Sequence, residues 1–180
     1  MNAEPAQQLP AVTLVLGGMR SGKSAYAEAL VEAAGPGLYL ATAEAGDGEM
    51  AERIRLHRER RGPNWTTVEE PLELAAALAE HADAARPVLV DCLTLWLSNL
   101  MGAEKDLDLE TQALTERLGT LNGPVVLVSN EVGGGIIPDN ALARQFADAA
   151  GRLNQAVAAV ADRVVLVSAG LPQVLKDKTK

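Results

Sequence analysis

An apolar run at residues 12–16, Val-Thr-Leu-Val-Leu, passes without a break into Gly17-Gly-Met-Arg-Ser-Gly-Lys-Ser24. This junction constrains the fold more than any other feature of the chain. The eight residues Gly17, Gly18, Met19, Arg20, Ser21, Gly22, Lys23 and Ser24 match G-x-x-x-x-G-K-[ST]. In that pattern the glycines let successive backbone N–H groups point inward at phosphate oxygens, a lysine reaches the β and γ phosphates, and a hydroxyl bonds Mg²⁺. Lys23 and Ser24 hold those two positions. The sequence Ser24-Ala-Tyr-Ala-Glu-Ala-Leu-Val-Glu-Ala-Ala34 then reads as an amphipathic helix, whose positive dipole end faces the same anion. Strand, glycine loop and helix in this order point to a nucleotide-binding α/β fold.

The rest of the chain repeats the alternation. Apolar, β-branched runs recur at 12–16, 38–41, 88–90, 125–128 and 164–167. Between them the sequence predicts helices over 22–34, 47–60, 71–85, a shorter one from Leu93, 107–119 and 140–161. In the last, Leu142, Phe146, Ala149, Leu153, Ala156, Val157 and Val160 return every three or four residues and make one apolar stripe. Strands that alternate with helices imply a mostly parallel sheet with helices on both faces, a three-layer P-loop nucleotide-binding fold.

A chain of 180 residues with 48% hydrophobic content fits one domain with a substantial core. We therefore expect a single domain over 11–180, preceded by a flexible tail at 1–10. The net charge of −8, with one dense basic stretch at 53–61, argues against nucleic acid as a partner. Cys92 is the only cysteine, so no disulfide can form within the chain and a reducing compartment is expected. No apolar stretch approaches the ~20 residues of a membrane span, and residues 1–10 lack the character of a signal peptide. A cytoplasmic protein is the expectation.

Ligands of an open parallel sheet collect at the carboxyl ends of its strands. The chemistry-bearing residues of this sequence fall there. Ala41-Thr42-Ala43 follow the second run, Asp91 ends Pro-Val-Leu-Val-Asp at 87–91, and Ser-Asn-Glu-Val-Gly at 129–133 follows the fourth. Beside a phosphate loop, a carboxylate at the end of a hydrophobic strand is suited to help hold Mg²⁺. Asn130 and Glu131 read equally well as holders of substrate or metal and as a turn bonding its own backbone. Gly133-Gly-Gly135 is a candidate mobile loop. His81 reads as exposed or helix-capping.

Four stretches together resemble one family: residues 17–24; Tyr39-Leu-Ala-Thr-Ala43; Glu49-Met-Ala-Glu-Arg-Ile-Arg-Leu-His-Arg-Glu-Arg-Arg61 with Trp65; and Ser129-Asn-Glu-Val-Gly-Gly-Gly-Ile-Ile-Pro138. They are similar to the bifunctional adenosylcobinamide kinase / adenosylcobinamide-phosphate guanylyltransferases of cobalamin assembly. The likeness continues through residues 144–155 and 166–172. It implies that adenosylcobinamide is phosphorylated on its aminopropanol hydroxyl, and that GMP from GTP is then moved onto the new phosphate by way of a histidine. His57 occupies the position of that histidine, and a neutral imidazole is nucleophilic near pH 7. With Lys23, it makes up the catalytic pair the resemblance implies.

By the same matching, residues 17–24, Ala41, Thr42, Ala43, Arg58, Glu59, Arg60, Arg61, Glu69 and Asp91 are expected to bind nucleotide, and Ser24 and Asp91 to hold Mg²⁺. GTP and ATP are the expected nucleotides. Adenosylcobinamide and its phosphate are the expected substrates, and the likeness implies a homo-oligomer, a trimer. One departure stands out: the family usually has proline directly after Arg61, where this chain has Gly62 and then Pro63. Two other readings compete with the bifunctional enzyme. A guanylyltransferase without kinase activity has no use for an intact Lys23 and Ser24, and a regulatory nucleotide switch has no use for His57.

Overall fold

The computed structural model describes residues 9–43 and 62–178. The helix expected over 47–60, and with it His57, Arg58, Glu59, Arg60 and Arg61, lies outside the described residues, as does most of the 1–10 tail. The elements run β1 (Val12–Gly17), α1 (Lys23–Ala34), β2 (Gly37–Ala41), β3 (Trp65–Glu69), α2 (Leu74–His81), β4 (Val88–Asp91), α3 (Leu93–Gly102), α4 (Leu107–Leu118), β5 (Val125–Asn130), α5 (Ala141–Val160), β6 (Arg163–Ser168) and β7 (Leu171–Asp177). The strands form one sheet in the order β3-β2-β4-β5-β1-β6-β7. All neighbours pair parallel except β7, which returns antiparallel along β6.

Strand pleating sends successive side chains to opposite faces, and here both faces are dry. Leu14, Leu16, Leu38, Leu40, Val88, Val90, Val125 and Leu127 join a core with α2, α3, α4 and α5. Val15, Tyr39, Leu89, Val126, Val128, Val165 and Val167 join a second core against Ala27 and Val31 of α1. Leu9, inside the expected tail, packs on that second core. Burial on both faces is why the central strands read as unbroken apolar runs.

Both edge strands escape that reading. β3 reads Trp-Thr-Thr-Val-Glu and is half-buried or exposed throughout. β7 carries Pro172 and is mostly exposed. A proline is tolerated there because an edge strand can spare one N–H. The helix expected over 71–85 is shorter, Leu74–His81. Glu70 accepts from the N–H groups of Leu72 and Glu73, and Asp83 from that of Ala85, so local side-chain turns replace helix at both ends. The capping of α5 is as its sequence suggests: Asn140 accepts from the N–H groups of Leu142 and Ala143. Among the described residues, no helix is long and apolar enough to cross a membrane.

Candidate nucleotide and transfer site

Residues 17–24 form a turn from the end of β1 into α1. Gly17 permits it by having no side chain: an added Cβ would stand 2.4 Å from Ser21 Oγ and 2.6 Å from the Val167 carbonyl oxygen. Gly22 sits at φ 95° directly before the helix, in the left-handed region that favours glycine. Arg20 also has positive φ, at 57°. Met19 is 84% exposed, so its side chain faces away from the loop's interior. The turn is closed by Ser21 N–H donating to the Gly18 carbonyl at 3.2 Å, and it is anchored from outside by Gly170 N–H donating to the Ser21 carbonyl at 2.8 Å.

Lys23 is only 8% exposed, and its ammonium donates to the Gly18 carbonyl at 3.1 Å. The charge is thereby bent back over the loop. Ser21 Oγ is buried with no hydrogen-bond partner among the described residues. A buried hydroxyl in that state has a donor to offer, which suits an anion seated in the loop.

Those of the other expected binding residues that are described, Ala41, Thr42, Ala43, Glu69 and Asp91, lie along the same carboxyl edge. Ala41 pairs in register with Glu69 on one side and Asp91 on the other, while Gly17 pairs with Asn130. With neighbouring strands ~4.8 Å apart, Asp91 on β4 stands two strands from the loop, about 10 Å, and Glu69 on β3 four strands away, about 19 Å. The geometry thus groups the loop with Asp91 and leaves the exposed Glu69 at the far end. His81 is half-buried in the last turn of α2, away from this edge. Gly133-Gly-Gly135 is exposed beside the loop strand.

Several polar residues tie the strand ends together. Tyr39 OH donates to Asp91 Oδ2 and fixes one carboxylate oxygen. Thr42 Oγ1 donates to the Cys92 carbonyl at 2.8 Å and accepts from its N–H at 2.9 Å. Asn99 Nδ2 donates to the Thr42 carbonyl at 2.7 Å. On the loop side, Asn130 Nδ2 donates to Thr94 Oγ1 at 2.6 Å, Asn154 Nδ2 to the Asn130 carbonyl at 3.1 Å, and Ser129 Oγ to Asn154 Oδ1 at 2.6 Å. Burial, and then the negative charge of Asp91, push the Cys92 thiol above its ordinary range, so it stays protonated and inert. Sequence reasoning assigns no role to Thr94, Asn99 or Asn154, although Asn154 lies in the family-like stretch 144–155. Thr94 and Asn99 are signalled only as polar residues inside an apolar helical stretch, and Asn154 only by standing next to the apolar stripe of α5.

Ser24 in the first turn of α1 and Asp91 offer a hydroxyl and a carboxylate, hard oxygens of the kind Mg²⁺ takes together with substrate phosphates and water. The described residues hold no group of three or more His, Cys, Asp or Glu that could cage a metal without such help. The donor set therefore fits a nucleotide-bound Mg²⁺.

Among known families, residues 13–175 match the one described as cobinamide kinase / cobinamide phosphate guanyltransferase. The chain is 53% identical over 166 residues to the bifunctional adenosylcobalamin biosynthesis protein CobP of Pseudomonas aeruginosa, covering 91% of this chain and 96% of that one. It is 42% identical over 173 residues to the bifunctional adenosylcobalamin biosynthesis protein CobU of Escherichia coli K12, covering 88% and 96%. Among solved structures it resembles the P4 protein of bacteriophage phi6 in complex with ADP, with a TM-score of 0.50 and 15% identity over 96% of this chain and 61% of that one. That last likeness concerns the fold alone.

Proposed function

The chain belongs to the cobinamide kinase / cobinamide phosphate guanyltransferase family, and on that premise we propose that it phosphorylates adenosylcobinamide with ATP or GTP and then transfers GMP from GTP to form adenosylcobinamide-GDP. The observation that carries the first step is the loop itself, with Lys23 buried and bonded to the Gly18 carbonyl and Ser21 Oγ buried with no partner among the described residues. In that step the substrate hydroxyl oxygen bonds to the γ phosphorus, and nucleoside diphosphate leaves. Lys23 neutralises charge on the β and γ phosphates as they separate. Ser24 and Asp91 would hold Mg²⁺, which supplies further charge neutralisation when bound. Tyr39 keeps the Asp91 carboxylate turned to one side.

In the second step an imidazole nitrogen of His57 attacks the α phosphorus of GTP, and pyrophosphate leaves. The GMP then passes to a phosphate oxygen of adenosylcobinamide phosphate, and the imidazole is freed. Arg58, Arg60 and Arg61 follow His57 closely in sequence, as a triphosphate requires. The role of His57 rests on the resemblance of its motif and on family membership. We further propose a cytoplasmic homo-oligomer, a trimer by resemblance, that does not bind nucleic acid. The net charge of −8 supports the last point, and the exposed Leu171, Val174 and Leu175 on edge strand β7 support assembly.

Position-specific labelling tests the pair of reactions. GTP labelled at the α phosphate should label the protein covalently, in a bond lost in acid and stable in alkali, and γ-labelled GTP should not. Adenosylcobinamide phosphate should discharge that label, and so should pyrophosphate by reversal. The γ label should appear on adenosylcobinamide. An adduct that survives in His57→Ala, or that neither acceptor removes, overturns the histidine route.

A further inference from the structure

The stretch at 129–133 has no task in either transfer as described, yet it stands at the centre of the edge. β5 lies between the strand that carries Asp91 and the strand that carries the loop. Asp91 is level with Val128, and Gly17 is level with Asn130. Asn130 therefore overhangs Asp91 by two residues, about 7 Å, and sits one strand spacing from the first glycine of the loop.

Asn130 is held more firmly than a strand-end residue needs to be. Its carbonyl accepts from Asn154, and the next N–H, that of Glu131, donates to the Gly17 carbonyl at 3.0 Å. Its amide nitrogen is taken by Thr94 Oγ1 at 2.6 Å. Thr94 is itself buried and lies 3.2 Å from Cys92 Sγ. Only Oδ1 is left without a hydrogen bond among the described residues. The amide plane is thus fixed, and it presents an acceptor.

The chemistry of an acceptor at this place is selective. Phosphate oxygens have no proton to give, and in the loop their natural partners are the N–H groups and Lys23. An amide oxygen suits a group that carries its own proton, such as an alcohol. We propose that Asn130 Oδ1 accepts a hydrogen bond from the attacking hydroxyl of the phosphoryl acceptor, aiming its oxygen lone pair at the γ phosphorus, and that Thr94 is the positioning residue that sets the amide. As the new oxygen–phosphorus bond forms, the bond from the γ phosphorus to the β–γ bridging oxygen breaks. The nucleoside diphosphate leaves with that electron pair, and the hydroxyl proton passes to water. This inference rests on the kinase reading of the loop.

The test uses the full chain with Mg²⁺, ATP and adenosylcobinamide. It compares wild type with Asn130→Ala, Thr94→Val and Thr94→Ser. Asn130→Ala should lower kcat/KM for the acceptor about 100-fold, the scale of a misaimed reactant, while the Kd of a non-hydrolysable ATP analogue stays within about twofold. Formation of the GMP adduct from GTP, which does not involve that hydroxyl, should also stay near wild type. Thr94→Val should lower acceptor kcat/KM about tenfold, and Thr94→Ser, which keeps the hydroxyl, should restore it. The Thr94 pair decides the matter if Asn130→Ala does not fold. Acceptor kcat/KM within about threefold of wild type in both Asn130→Ala and Thr94→Val overturns the inference. So does a parallel loss of nucleotide affinity and adduct formation, which marks a purely structural role. A wild type that never phosphorylates the acceptor refutes the kinase reading, and this inference with it.

Discussion

Replacing Thr42 by valine should destabilise the protein well out of proportion to the single oxygen removed. Thr42 is fully buried at the end of β2, and its hydroxyl makes two bonds with one residue, donating to the Cys92 carbonyl and accepting from the Cys92 N–H. Valine has the same shape, so little cavity or clash arises. What changes is that a buried N–H and a buried carbonyl both lose their partner. Each orphaned group costs about 1–3 kcal/mol, and the added methyl returns part of that through better apolar contact, which leaves a net loss of about 3 kcal/mol. At about 2–4 °C per kcal/mol for a domain of this size, the Tm should fall by roughly 6–12 °C. Urea titration should show a lower midpoint with an unchanged slope, because the surface exposed on unfolding is the same. Thr42→Ser keeps both bonds and gives up one methyl, so it should lose only about 1 kcal/mol. A Thr42→Val loss below about 1 kcal/mol, or a serine variant as weak as the valine one, would refute the account, since the two bonds would then not be what holds the turn.

Other outcomes follow from the same geometry. Gly17→Ala forces a methyl against the Val167 carbonyl, which is backbone and cannot swing away, so stability should drop by about 1–3 kcal/mol and nucleotide affinity should fall in calorimetric titration; an unchanged Tm and affinity would show that the loop relaxes freely. Lys23→Ala should lower phosphoryl transfer about 100- to 1000-fold, measured as adenosylcobinamide phosphate formed per minute, and near-normal turnover would remove the lysine from the reaction. Cys92 is protonated in the folded state because its pKa is raised, whereas the unfolded chain loses that proton above about 8.5. Its contribution is therefore complete below that pH and is lost as pH climbs toward the folded value. Melting curves from pH 7 to 10 should fall more steeply for wild type than for Cys92→Ala, and a thiol reagent at pH 8 should react with the native protein far more slowly than with the unfolded one. Equal slopes and equal labelling rates would contradict the burial argument.

The residues that could be read from the sequence are those whose signal is local. The phosphate loop is eight consecutive residues with a fixed chemistry. The five inner strands announce themselves because helices dry both of their faces and demand apolar side chains at most positions. β3 and β7 have one flank in solvent, so their composition is free to be polar, and Pro172 actively argues against a strand. The bonds that shape the edge are hidden for a different reason. Thr42 and Cys92 are 50 residues apart, Thr94 and Asn130 are 36 apart, and Asn130 and Asn154 are 24 apart. No window of sequence holds both members of such a pair, and only the strand order brings them together. Asn130 illustrates the limit. Its motif marked it, but a turn and a ligand contact read alike until the amide nitrogen is seen to be occupied and the oxygen not.

The anchoring of the loop by Gly170 bears on how the protein comes into being. Ser21 follows β1 and Gly170 precedes β7, so five strands of the sheet are made between them. On a nascent polypeptide β1 has neither of its strand neighbours until β5 and β6 have been made, and the phosphate loop lacks its outer support until the turn between β6 and β7 has been synthesised and docked. The final shape of the loop thus waits on the turn between β6 and β7. A partly made or prematurely ended chain keeps every residue of the phosphate loop and still lacks the support that shapes it.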